Sequence, residues 1–190
     1  MFDRLKTAAA LAAIAGLTAT GAWAAFTSDP NSETESAPVQ TGAIAPDFTG
    51  TGAWLNSTPL DLKQLRGKVV LVEFWTFDCI NCAHTLPYVK DWYARYHDKG
   101  LVVIGVHTPE YPFERDTGNL KKAIVRFGIQ YPVVQDNQYA TWNAYGNQYW
   151  PALYLIDKNG KVAYKRVGEG RYDETEQTIR NLLGVGGKRG

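Results

Sequence analysis

The sequence predicts an α/β fold, a central mixed sheet flanked by helices, and three observations lead there. Residues 69–82 open as a run of branched and aromatic residues too short to span a membrane, which reads as a strand buried on both faces, with one acid, Glu73, inside it. Ala83 to Lys99 then carries Leu86, Val89, Trp92, Tyr93 and Tyr96 at helical spacing. Leu101 to Val106 is a second uncharged apolar run. Strand, helix and strand in one sheet make a parallel pair joined by a right-handed crossover, so both strands end at the same edge. His107, Thr108, Pro109 and Glu110 are therefore expected to surface at that edge.

The first strand leads into Cys79-Ile80-Asn81-Cys82, which holds the only two cysteines of the chain. Placed where a strand hands over to a helix, Cys79 would meet unpaired amides and the positive end of the helix dipole, which stabilise a thiolate. Cys79 is thus the expected attacking sulfur, and Cys82, one turn deeper, the sulfur that closes a disulfide and expels what Cys79 has captured. A disulfide closing so short a loop removes little chain entropy, so stability is a poor reason for this spacing. Two inert thiols, or half of a zinc site, are the competing readings. Zinc normally takes three or four protein ligands, and there is no second cysteine pair.

Before this stretch, Met1 to Lys6 carries Arg4 and Lys6, Thr7 to Ala22 is apolar and rich in Ala, and Ala22-Trp23-Ala24 fits a cleavage site. Residues 1–24 are expected to be a secretory signal, with an uncleaved membrane anchor as the alternative, and the location outside the cytoplasm, in a periplasm. Cleavage would remove two basic residues and one acid from a chain of net charge +1, leaving none. Nothing in that balance points to nucleic acid, and a protein partner is expected. The single Met is Met1, which excludes a thioether copper site in the mature chain. Residues 25–42, polar with two prolines and no apolar period, read as a disordered linker. One domain is expected over 43–184, with a flexible tail over 185–190.

Ala53-Trp54-Leu55 with the residues through Leu60 looks like an N-terminal hairpin extension, and Asp61 to Leu65 like one turn of helix. Beyond Leu101 to Val106, a helix is expected over Asn119 to Phe127, a strand over Tyr131 to Gln135 and a short helix over Gln138 to Tyr145. Ala152 to Ile156 and Lys161 to Val167 flank Asp157-Lys158-Asn159-Gly160, a tight-hairpin signal. Asp173, with Glu176 three residues on, is expected to cap the last helix, which runs to about Leu183.

The stretch FWTFDCINCAHTLPYV resembles the thioredoxin superfamily, in its exported TlpA/ResA branch and the thioredoxin-like domain of DipZ-type proteins. GLVVIGVHTPE, YATWNAYGNQYWPALYLID and GEGRYDETE resemble the same domain, so the likeness covers residues 40–183. It implies a thioredoxin-like fold and a thiol-disulfide oxidoreductase that exchanges disulfides with protein partners, as a reductant fed by a separate membrane electron donor. Ile80-Asn81 replaces the Gly-Pro of ordinary thioredoxins, and Asp78 their Trp.

Glu73, six residues before Cys79, would be costly to desolvate inside a central strand, so its pKa is expected to rise. It could then take the proton of Cys82, and it matches the buried acid of thioredoxins. The resemblance also implies that Trp150-Pro151 is the cis-proline loop that faces the disulfide and pairs with substrate, with Pro132 the weaker candidate. No cofactor is expected. His84 does not follow Cys82 directly, as covalent haem attachment requires, and reads as a helix-surface residue. A copper or zinc metallochaperone using the same dithiol is one alternative. A thiol peroxidase is another, suggested by Thr76 three residues before Cys79 but lacking the proline that would stand at Val72.

Overall fold

A computed structural model describes residues 37–185. The leader, most of the linker and all but the first residue of the tail lie outside them. Among the described residues no helix is long and apolar enough to cross a membrane.

Among the described residues six strands form one sheet: β1 (Trp54–Leu55), β2 (Val69–Trp75), β3 (Leu101–His107), β4 (Val133–Gln135), β5 (Ala152–Ile156) and β6 (Val162–Val167). Their order is β1-β4-β3-β2-β5-β6, with β2, β3 and β4 parallel and the remaining pairs antiparallel. Helix α1 (Ile80–Tyr96) joins β2 to β3; α2 (Thr117–Phe127) and α3 (Ala140–Ala144) flank β4, and α4 (Tyr172–Leu183) ends the fold. The fold class expected from the sequence is the one observed.

Strand β2 lies at the centre, buried on both faces. Val69, Leu71 and Trp75 face a core shared with α1, α2 and α4, while Val70, Val72 and Phe74 face a second core closed by Trp142 of α3. Glu73 alternates with the first set and so points toward α1. Each fully buried apolar side chain of β2 contributes roughly 1.5–3 kcal/mol, which together outweighs the cost of hiding one carboxyl.

Four expectations need correction. Trp54–Leu55 does not fold back on residues 56–60; it pairs with Val133–Val134, because Asn56 turns the chain in the left-handed region and its amide donates to the carbonyls of Ile129 and Tyr131. Residues 61–65 make turns and no helix. Helix α4 begins at Tyr172 with no side-chain cap, so Asp173 lies inside it, while Glu176 accepts from Arg95 and Tyr96 and ties α4 to α1. At the near end of the expected linker, the amides of Val39 and Gly42 donate to the carbonyls of Tyr145 and Val162, so the folded body takes in residues read as spacer. The strand at 131–135 starts at Val133, and the hairpin at Asn159-Gly160 joins β5 to β6.

Candidate active site

The topology assembles one edge. Parallel β2 and β3 end together, with Trp75 opposite His107, and antiparallel β5 starts at the same place, with Ala152 opposite Phe74. Cys79, just beyond β2, and Pro151, just before β5, therefore arrive at the same edge from opposite directions along the chain.

Cys79 is the N-cap of α1, in extended backbone, and its sulfur accepts the backbone N–H of Cys82 at 3.2 Å. No acid stands in the first turn of the helix to oppose a thiolate. Both cysteines are free thiols; Cys79 is half-buried and Cys82 fully buried. The Cys82 thiol, donating to Cys79, is the largest influence bringing the Cys79 pKa down to about 7; burial opposes it, and the amides of Cys82 and Asn81 assist. Burial, reinforced by that same bond, pushes the Cys82 thiol far up.

Glu73 is fully buried and faces the core that contains Cys82. Its Oε2 accepts the hydroxyl of Tyr131 at 2.9 Å, while Oε1 has no hydrogen-bond partner among the described residues. Burial is the main reason its pKa rises to about 8, against the Tyr131 bond and with help from the charge of Cys79. Tyr131 itself is held well above its usual range by burial. Sequence reasoning took Tyr131 only as the start of a strand. Its pairing with Glu73 spans 58 positions, and no local signal carries it.

The Trp150–Pro151 peptide is cis. The Trp150 indole donates to the carbonyl of Thr108 at 3.0 Å and leans on Trp142, with ring centroids 4.3 Å apart. Trp150, Cys79, Asp78, Glu110, Tyr111 and Tyr149 are among the residues that wall an open groove of about 480 Å³. The expected cysteines, the acid and the Trp150-Pro151 pair thus lie on or directly beneath one surface. Pro132 is elsewhere in function, its carbonyl accepting the amide of Gly105 in the sheet.

Of the four residues expected to surface at this edge, only Glu110 does. His107, Thr108 and Pro109 are buried. His107 stacks on Phe77, with centroids 5.3 Å apart, and meets Trp75 edge-on, and burial lowers its pKa to about 3. The next residues are held by Glu114, which the sequence reading passed over. This fully buried carboxylate accepts the amides of Asp78, Glu110 and Tyr111 at 3.1, 2.7 and 2.8 Å and the hydroxyl of Thr76. It ties Glu110 and Tyr111 to Thr76 and Asp78, just beyond β2. The signal for it was the spacing of a capping box, Tyr111 to Glu114, with Pro112 at the first helical position of the short helix Pro112–Arg115.

His84 is exposed and lies 2.9 Å from Glu169. Among the described residues no group of three or more His, Cys, Asp or Glu side chains is arranged to hold a metal ion.

The comparisons with known proteins agree with this geometry. A family model described as Redoxin matches residues 40–183. Protein DipZ of Mycobacterium tuberculosis is 52% identical over 150 residues, covering 77% of this chain and 22% of DipZ, so the chain spans about a fifth of that relative's length. The thiol-disulfide oxidoreductase ResA of Geobacillus thermodenitrificans is 32% identical over 157 residues, covering 83% of this chain and 86% of ResA. The crystal structure of a thiol-disulfide isomerase from Corynebacterium glutamicum matches with a TM-score of 0.66 at 27% identity, over 73% of this chain and 96% of that one. On the family match, the relatives and the shared fold, this chain belongs to the Redoxin family, among the thioredoxin-like relatives of DipZ and ResA.

Proposed function

We propose that this domain is a thiol-disulfide oxidoreductase that reduces disulfides of protein partners outside the cytoplasm. One observation carries the reading: a half-buried, acidified Cys79 at a helix start, bonded to a buried Cys82 in a core that also holds a protonatable Glu73. In the first step the Cys79 thiolate attacks one sulfur of the target disulfide. A bond forms between them, the target bond breaks, and its second sulfur leaves as a thiolate. Cys82 then loses its proton to Glu73 and attacks the Cys79 sulfur, closing the 79–82 disulfide and releasing the first target sulfur. Two electrons have passed from the dithiol to the target, and the two released thiolates take up protons.

The sequence of events makes Glu73 available when it is needed. The charge of Cys79 raises the Glu73 pKa. Capture of a target removes that charge and lowers the Glu73 pKa, so the carboxyl is more often ionised, and so able to accept a proton, when Cys82 must ionise. Trp150 lines the groove in which the target strand would lie, and the cis peptide joins it to the buried Pro151, just before β5, beneath that groove. Return to the dithiol needs two electrons from a dithiol donor, for which a separate membrane protein is proposed. Export is supported by the leader pattern in residues 1–24.

Replacing Cys82 with Ser tests the reading. Covalent complexes with target proteins through Cys79 are expected on non-reducing gels; none in cells that express the variant would overturn it. Glu73→Gln is expected to slow release of the trapped target more than its capture. Direction is set by the equilibrium potential of the 79–82 pair against glutathione, where 30 mV corresponds to about 1.4 kcal/mol. A potential above that of the glutathione pool would make the domain an oxidant.

A further inference from the structure

The groove beside Cys79 has a chemical character that the redox step does not require. Two carboxylates, Asp78 and Glu110, line it, and among the described residues no Lys, Arg or His does. Neither acid has an ion-pair partner among the described residues. Glu110 is held in place through its own amide, which donates to Glu114. Three aromatic residues, Tyr111, Tyr149 and Trp150, share the remaining wall with Ile80, Asn81 and Gln148, and Tyr149 is 61% and Tyr111 46% exposed. Lys122 and Arg126 line a separate pocket with Phe77 and Phe113. The whole chain is close to neutral, so this acidity is local to the reacting thiol.

We propose that the groove selects polypeptide disulfides in which the attacked cysteine has a cationic neighbour, and disfavours anionic ones such as oxidised glutathione. The proposal rests on the oxidoreductase reading and adds the substrate class to it. A Lys or Arg side chain entering beside Cys79 would meet two carboxylates and the faces of Tyr111 and Tyr149, which attract a cation through their ring quadrupoles. An anionic partner would meet like charge at the same place. The charge of Glu110 also works against ionisation of Cys79. A group that weakens the nucleophile in the free enzyme is understandable if the arriving partner neutralises it.

The test uses three tripeptide disulfides, with the cysteine flanked by Lys, by Ser or by Glu, together with oxidised glutathione. Reduction of each by the full dithiol chain is divided by its rate with an uncharged small thiol, which cancels the effect of the flanks on the leaving sulfur. The normalised rate is expected to be about tenfold or more higher with Lys than with Glu at low ionic strength, with glutathione near the Glu peptide. Raising the salt should narrow the ratio, as should Asp78→Asn with Glu110→Gln. The removal of Glu110 also shifts Cys79 itself, but it does so for every disulfide and leaves the ratio to report the groove. Equal normalised rates in the native chain, or a preference for the anionic peptides, would overturn the charge selection. The Ser peptide reacting no faster than with the small thiol would instead overturn the oxidoreductase reading, since the charge order is read from ratios and the activity from this absolute comparison.

Discussion

The bond between the two cysteines decides how reactive the outer one is. The donor with the largest influence on Cys79 is the Cys82 thiol, ahead of the backbone amides. Removing that donor while keeping the helix separates the two contributions. Cys82→Ala is expected to raise the midpoint of Cys79 alkylation by about one pH unit, toward an ordinary thiol, whereas Cys82→Ser, which keeps a hydroxyl donor, should stay nearer the native value. Iodoacetamide labelling across pH 5 to 10, followed by mass spectrometry, measures both. If the Ala and Ser variants titrate alike, the helix terminus and not the thiol is the main cause. Glu114 acts on the same loop from below. Glu114→Ala strips a charged acceptor from three amides and a hydroxyl, and a loss of roughly 3 kcal/mol in urea unfolding is expected, with a smaller loss for Glu114→Gln.

At the scale of elements, β3 shows how closely the sheet is fitted around the buried acid. Gly105 sits opposite Glu73 in the register, and a Cβ there would come within 2.8 Å of the Trp75 indole nitrogen and 3.2 Å of the Tyr131 ring. Gly105→Ala is therefore expected to cost about 1–3 kcal/mol and to disturb the Tyr131–Glu73 bond; a change under 0.5 kcal/mol would mean those rings have room to retreat. This fit also explains what the sequence could and could not reveal. Strands β2, β3, β5 and β6 and helices α1 and α2 were legible because their periodicity and turn residues act over a few positions. Cys79 and Cys82 were legible for the same reason, since a cap and the turn it starts are local. The edge strand β1 was misread because its partner lies about 80 residues on, in β4. Tyr131 was missed because its partner Glu73 lies 58 positions away, and Glu114 because its capping-box spacing marks a short turn and carries nothing of its bonds to Thr76 and Asp78.

For the molecule as a whole, the buried acid makes stability depend on pH in a direction opposite to the usual carboxylate. Glu73 goes from 4.5 unfolded to about 8 folded, so the folded chain holds a proton that the unfolded chain releases. Its contribution is fully present below pH 4.5 and is lost as pH rises to 8, at about 1.4 kcal/mol per pH unit across that window. The total, about 5 kcal/mol, is a large share of the 5–15 kcal/mol typical of a domain, so it should show in global unfolding. Cys79 acts in the opposite sense, because its folded pKa is depressed from 9.0 to about 7: its contribution is present above 9 and fades as pH falls through 7. That term is shared by the native chain and by Glu73→Gln, and it largely cancels in their difference. The Gln side chain can still accept from Tyr131 but cannot ionise. Measured by urea unfolding of the reduced proteins, the variant should gain on the native chain by several kcal/mol between pH 5 and pH 8. A constant difference across that range would show that Glu73 titrates alike in both states, and would remove the reason for assigning it the proton of Cys82.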